Sequence, residues 1–263
     1  MRLTDIFASF PQQIAHRGLS SLAPENTLEA FAVAARAGYS WIECDVKLSA
    51  DDHPMLFHDD YLSRTTDHTG LFVDYGRWEL QSFDAGSWFS DRFKNACIPT
   101  LRQALLACNR LSLGMNLEIK PNAGQDTLTA QQIEATLKKM DKHPDILLSS
   151  FSVEALQYCQ EQMSHIPRAL LRSGEACNNT FDNWMLQAQR LNCVALHIEH
   201  KSYRPGMAQQ CHQQGLSLLV YTVNQNTQAS TLLNQGVTSI FTDITLNLEP
   251  QFNQSIELAY QPA

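Results

Sequence analysis

Two carboxylates stand two residues apart in the stretch 41–60, WIECDVKLSADDHPMLFHDD. The stretch begins as a β-branched and aromatic run that reads as a strand, and strand residues at i and i+2 face the same side. Glu43 and Asp45 therefore point together, while Ile42, Cys44 and Val46 point the other way. On an antiparallel sheet that acidic face would meet solvent. In a fold interior the two charges repel and lose hydration, and a divalent cation removes both penalties. Oxygen donors suit Mg²⁺, Ca²⁺ or Mn²⁺, and Glu118 adds a third donor. Arg17 and Lys120 bring fixed positive charge suited to a phosphate group. Together with a cation they would neutralise charge growing on phosphoryl oxygens. His58 follows the short apolar run PMLF and precedes Asp59 and Asp60. With His16 it gives two imidazoles that can divide proton transfer, one serving a nucleophile and one a leaving oxygen. Each residue alone has a plainer reading. A single histidine is a hydrogen-bonded structural residue, and His143, His165, His197, His200 and His212 are read that way. Lys120 alone is an ion pair with Glu118 or Glu43.

These side chains need elements that bring them together. Strands are expected over 13–15, 41–46, 111–119, 145–150, 168–171, 193–198, 216–223 and 239–242, with PMLF as a hairpin arm. Leu28, Phe31, Ala32 and Ala35 recur at helical spacing, with Asn26 as cap, Glu29 completing a capping box and Gly38 as stop. Further helices are expected over 101–109, 129–140, after the capping Ser152, and over 181–190, 205–214 and 227–234, with a polar tail helix at the end. The region 61–98 breaks the rhythm. It is rich in aromatics, and the expectation is an insertion of short helices whose rings dock it onto the body. Eight strands alternating with helices predict an α/β fold, a (β/α)₈ TIM barrel with a small insertion after the second strand. A single domain over 1–263 is expected, with 61–98 as an inserted cap. The runner-up, a doubly wound open sheet, is weakened by the lack of a GxGxxG or Walker A loop. His16-Arg17, Glu43, Asp45, Glu118, Lys120, the run 221–224 and Asp243 all fall at carboxyl ends of expected strands. In a parallel barrel those ends share one rim, where active sites are built.

Composition excludes several classes. The net charge of −8 and the lack of a basic stripe argue against a general nucleic-acid binder. Seven cysteines, an odd number with no CxxC pair, argue against a disulfide framework or a zinc site and are read as mostly buried small hydrophobes. The start MRLTDIFASFPQQ carries Asp5 and no long apolar core, and no run approaches a membrane span. The expectation is a cytoplasmic chain without stable membrane insertion, in which the sequons at 178–180 and 253–255 carry no meaning.

HRG with a following PENTLEAF, then IECDV, HDDYLSRTTDHTG, LEIKP, SSF, YTVN and FTD run in order from about Ile14 to Asp243. This ordered set resembles the glycerophosphodiester phosphodiesterase family, above all its cytoplasmic bacterial type. The resemblance implies a (β/α)₈ barrel with an insertion after the second strand. It also implies metal-dependent hydrolysis of small glycerophosphodiesters, such as glycerophosphocholine or glycerophosphoethanolamine, to glycerol 3-phosphate and an alcohol. Carried over by motif, His16 and His58 become the acid/base pair. Glu43, Asp45 and Glu118 become ligands of one divalent cation, Mg²⁺ or Ca²⁺ with Mn²⁺ as a further candidate. Arg17 and Lys120 become phosphate-binding residues and Tyr221 a wall of the glycerol site. Two departures lie outside this set. Asp52-His53 stands where the family often has Asp-Gly, and Ile244-Thr245 where it often has a proline soon after TD. Two alternatives share the barrel. One is a lysophospholipase D- or C-like enzyme whose aromatic insertion forms an apolar lip, although no basic membrane-binding helix is visible. The other is a non-catalytic phosphodiester-binding barrel, which the complete set of acids and histidines opposes. Self-association is left open.

Overall fold

The computed structural model describes residues 10–174 and 180–248. Cys177, the expected tail helix and the sequons, Thr180 apart, lie outside the described residues. The strands are β1 (Gln13–Ala15), β2 (Trp41–Leu48), β3 (Pro54–Leu56), β4 (Gly114–Ile119), β5 (Ile146–Ser150), β6 (Arg168–Arg172), β7 (Ala195–Glu199), β8 (Ser217–Tyr221) and β9 (Ser239–Thr242). The helices are α1 (Leu28–Arg36), α2 (Arg77–Ser82), α3 (Leu101–Leu111), α4 (Asp126–Lys138), α5 (Val153–Gln162), α6 (Phe181–Arg190), α7 (Met207–Gln213) and α8 (Asn226–Asn234). All strands but β3 run parallel, and β1 pairs with both β9 and β2, which closes the sheet into an eight-stranded TIM barrel. The arm β3 pairs antiparallel with β2 outside the ring.

Side-chain alternation makes the two layers. Along β2, Ile42, Cys44 and Val46 bury themselves against Phe31, Leu105 and their neighbours under the helices. Along β4, Met115, Leu117 and Ile119 do the same. The opposite parity, Glu43, Asp45 and Lys47 on β2 and Asn116 and Glu118 on β4, is also buried. That rules out the solvent-facing alternative for the acidic pair. Ile14, Leu147, Ala169, Leu219 and Phe241 form a separate apolar cluster.

Several boundaries differ from expectation, for local reasons. Thr27 caps α1, its Oγ1 accepting from the Ala30 amide at 3.2 Å. Asn26 has a left-handed φ of 57° rather than the extended backbone of a cap, and Glu29 does not complete a box because the third helical residue after Thr27 is Ala30. A capping box does open α3, between Thr100 and Gln103. The strand expected over 111–119 starts at Gly114 because α3 continues to Leu111 and Ser112 ends it in a left-handed turn. Helix α4 starts at Asp126 and ends at Lys138, and α7 starts only after Gly206.

Residues 61–98 hold α2 and three short 3₁₀ turns, as expected of an insertion. Phe72, Leu80 and Phe83 pack with Met55, Phe57 and Leu62, and the Phe57 and Phe72 rings stack at 4.9 Å. Not every ring docks. Trp78 is 72% exposed beneath the Arg77 guanidinium, and Trp88 is 40% exposed. The docked rings tie the insertion to the arm that ends beside His58.

Gly18 binds the loop after β1 to β2 through its amide and the Glu43 carbonyl at 3.2 Å. Its φ is 75°, and a Cβ there would meet the Ala30 Cβ at 2.6 Å and the Ala30 carbonyl carbon at 2.8 Å. We expect Gly18→Ala to lower stability by about 2–4 kcal/mol through overpacking and left-handed strain. Urea denaturation of both proteins checks this, and an unchanged midpoint would refute it.

Candidate functional site

Residue alternation on β2 and β4 and the parallel register between them create the acidic cluster. Asp45 lies directly across from Glu118, and Glu43 from Asn116. One oxygen from each of Glu43, Asp45 and Glu118 lies within 4.8 Å of the others. Glu43 Oε2 accepts from the Arg17 amide at 2.9 Å and lies 3.9 Å from His16 Nε2. Glu43 Oε1 is buried with no partner among the described residues. Burial, together with Asp45 and Glu118, pushes the Glu43 carboxyl well above the ordinary range. Burial and Asp45 push Glu118 up to about 7. For Asp45 burial acts against the charge, but Arg17, Lys120, His58 and a hydrogen bond from Asn26 outweigh it and hold the carboxyl well below its usual value. An all-oxygen donor set with a bare buried oxygen fits a hard divalent cation.

Asn26 belongs to this cluster rather than to a helix cap. Its Nδ2 donates to Asp45 Oδ2 at 2.9 Å, and its Oδ1 accepts from the Asp45 amide at 3.1 Å. The Asn26 left-handed backbone turns the side chain back onto β2. A Glu-Asn-Thr run looks like cap chemistry in sequence, so this role was hidden there.

The two imidazoles are each oriented by an aspartate. His16 Nδ1–H donates to Asp243 Oδ1 at 2.7 Å, leaving Nε2 toward the cleft. Burial would lift Asp243, but its bond and charge contact with His16, and bonds from Asn224 and Ser20, hold it down to about 2. His58 Nδ1–H donates to Asp59 Oδ1 at 2.6 Å. Burial holds His58 below the ordinary imidazole value, with Arg17 and Lys120 adding to it against the pull of Asp45 and Asp59. The adjacency of His58 and Asp59 was the available signal for this dyad. The Asp243 partnership spans nearly the whole chain and had none beyond its strand-end position.

Arg17 Nη1 donates to Glu25 Oε1 at 2.7 Å, and Arg17 Nε lies 3.5 Å from Asp45 Oδ2. Lys120 Nζ lies 3.5 Å from Asp45 Oδ1 and 3.8 Å from Glu118 Oε1, so its ion pairs are with Asp45 and Glu118, not Glu43. An open cleft of about 490 Å³ is lined by His16, Arg17, His58, Glu118 and Lys120 together with Phe151, Ser173, Glu199, His200, Tyr221 and Thr222. The Tyr221 hydroxyl donates to the Arg172 carbonyl at 3.0 Å, so the ring is what Tyr221 offers the cleft. No ring from 61–98 is among the residues lining it. Beneath it a cavity of about 30 Å³ is lined by Glu43, Asn116, Glu118 and His197, among others. His197 does not fit the hydrogen-bonded structural role. It is fully buried against Phe241, neither ring nitrogen has a partner among the described residues, and burial drives it down to about 3.

The profile of a family described as the Glycerophosphoryl diester phosphodiesterase family matches residues 16–246. The chain is 32% identical over 233 residues to YhdW of Bacillus subtilis, covering 88% of this chain and 93% of that one. It is 29% identical over 230 residues to a glycerophosphodiester phosphodiesterase of Caldanaerobacter subterraneus subsp. tengcongensis, with the same coverages of 88% and 93%. Among solved structures it is similar to a phosphodiesterase of Oleispira antarctica in complex with the product sn-glycerol-3-phosphate. The TM-score is 0.85 and the identity 36%, covering 90% of this chain and 94% of that one.

A carboxyl raised by folding is penalised in its ionised form. Glu118 therefore carries no penalty below its ordinary value of 4.5, and the full penalty above about 7. We expect metal-free Glu118→Gln to gain stability over metal-free wild type across that window, by on the order of 3 kcal/mol. Excess Mg²⁺ or Ca²⁺ should reverse the order by binding the intact cluster. Denaturation curves at the two ends of the window, with and without cation, decide it; a gap that does not change with pH would refute the burial argument.

Proposed function

The chain belongs to the glycerophosphoryl diester phosphodiesterase family and is an enzyme of that class, and from that premise we propose that it hydrolyses glycerophosphodiesters to glycerol 3-phosphate and an alcohol, with a divalent cation and two histidines sharing the work. The observation that carries the reading is convergence on one cleft. Glu118, two aspartate-oriented imidazoles, Arg17 and Lys120 line it, and Glu43 and Asp45 cluster with Glu118 at its edge. The product bound to the Oleispira antarctica neighbour supports glycerol 3-phosphate as the product here.

In this reading Glu43, Asp45 and Glu118 hold the cation, which supplies charge stabilisation for the phosphoryl oxygens when bound. Arg17 and Lys120 bind phosphoryl oxygens and fix the diester for in-line attack. Glu25 keeps the Arg17 guanidinium aimed at the rim, and Asn26 keeps Asp45 turned inward. With Nδ1–H committed to Asp59, neutral His58 offers Nε2 as a proton acceptor, and its lowered pKa keeps that nitrogen free at neutral pH. His16, fixed by Asp243, supplies a proton from Nε2 to the leaving oxygen. The attacking group is a water, or the substrate's own glycerol hydroxyl in a route whose cyclic phosphate a water then opens, and either would lose its proton to the same nitrogen. The Tyr221 ring forms a wall beside the glycerol. The reading includes a single domain over 1–263 in which 61–98 forms a cap. It also includes a cytoplasmic setting, supported by six unpaired cysteines among the described residues. Among those residues no helix is long and apolar enough to cross a membrane.

Glycerol 3-phosphate release from glycerophosphocholine should require Mg²⁺ or Ca²⁺, stop with EDTA, and be lost in Glu43→Ala. His16→Ala and His58→Ala should each lower kcat by about 10²–10⁴-fold. Full activity in either histidine variant would overturn the proton-transfer roles. Turnover only of micellar lysolipids would overturn the choice of substrate.

A further inference from the structure

Arg64 lies in the 3₁₀ turn Leu62–Arg64 of the insertion, outside the set of residues that line the cleft. Its guanidinium is engaged on two edges. Nε donates to Asp59 Oδ2 at 2.6 Å and Nη2 to Asp59 Oδ1 at 2.9 Å. Nη1 donates to Glu25 Oε2 at 2.6 Å and Nη2 to Glu25 Oε1 at 2.8 Å. The same Asp59 Oδ1 accepts from His58, and the same Glu25 Oε1 accepts from Arg17. One rigid cation thus joins the carboxylate that orients an imidazole to the carboxylate that orients a guanidinium, although Asp59 and Glu25 come from different loops.

We propose that Arg64 is a positioning residue that clamps Asp59 and Glu25 and so sets the Nε2 of His58 and the guanidinium of Arg17 in register on the substrate. The inference rests on the roles proposed above for His58 and Arg17. A planar fork with five donors does this, and an ammonium cannot, because it is a point charge without two fixed edges. The supports behind the clamp are rigid. The loop carrying Asp59 is held one residue on by Asp60, whose Oδ1 accepts from buried Lys47 at 2.6 Å and whose carbonyl accepts from the Phe72 amide at 2.8 Å. The turn carrying Arg64 is anchored by fully buried Leu62. The insertion therefore reaches the chemistry through this side chain, and its docking against Phe57 fixes where the fork stands.

Steady-state kinetics on glycerophosphocholine test the clamp, with melting temperatures recorded alongside. Arg64→Met should lower kcat about 10–100-fold through a misplaced His58, and raise KM severalfold through a freed Arg17. Arg64→Lys should keep the fold and recover only a small part of kcat. Because the Arg64 side chain is 44% exposed and truncation leaves room for its head group, millimolar guanidinium should restore Arg64→Ala where methylammonium does not. In an Asp59→Asn background the further loss from Arg64→Met should be less than about threefold. Wild-type kcat and KM in Arg64→Met overturns the proposal, as does a loss of equal size in both backgrounds or a loss in Arg64→Ala that guanidinium fails to relieve. A turnover-free arm separates this from failure of the functional reading. The His58 Nδ1–H proton resonance should be present in the resting wild type, lost in Arg64→Ala and restored by guanidinium. An unchanged resonance overturns the clamp, whereas full activity in His58→Ala overturns the acid/base reading on which it rests.

Discussion

Glu43, Asp45 and Glu118 are held within 4.8 Å of one another and away from water. Two ionised carboxylates at that distance repel by about 3 kcal/mol even at an effective dielectric constant of about 20, and there are three such pairs here. Burial adds to this, because the surrounding protein cannot solvate the charges as water would. The arrangement is tolerable only with positive charge nearby. Arg17 and Lys120 supply part of it, and Asn26 supplies a directed dipole. Even so, Glu43 and Glu118 remain above their ordinary pKa, which marks charge that the protein's own groups leave unbalanced. In the proposed function a divalent cation would supply the remainder and turn a repulsive cluster into a binding site.

The barrel makes this constraint affordable in structural terms by separating apolar and polar work along each strand. On β2 and β4 one parity packs under the helices and the other faces inward, so the acids occupy positions the core does not need. Parallel pairing places Asp45 and Glu118 side by side without a connecting turn. Away from the acids, Ile14, Leu147, Leu219 and Phe241 close an apolar cluster and keep the cluster's surroundings rigid. His197 packs onto Phe241 as a neutral ring and lines the small cavity under the acids.

Around the acids, four side chains of the candidate site are each oriented by a second one. Asp243 orients His16, Asp59 orients His58, Glu25 orients Arg17 and Asn26 orients Asp45. These partners come from the loops after β1, β3 and β9. Charged hydrogen bonds between loops replace the rigidity that strands alone would give, and Arg64 extends that support into the insertion.

The sequence by itself determined the barrel, the strand parity and the principal polar residues. Period-two alternation at 41–48, apolar strands between helices, and polar residues at strand ends are local patterns, set by which side chains can leave water. It also showed the insertion, because the βα rhythm stops at 61 and resumes near 98. What it could not show was partnership. Asn26 reads as a helix cap in any linear view, and only its left-handed backbone sends it to Asp45. Nothing local links Glu25 to Arg64 or His16 to Asp243, since those contacts form when distant loops meet over the closed ring. His197 reads as an ordinary hydrogen-bonded histidine, and only the closed barrel buries it where its nitrogens find no partner among the described residues. Local chemistry chose which groups would stand at the rim; the closing of β1 against β2 and β9 decided which of them touch, because hydrogen bonds depend on distances that only the folded chain fixes.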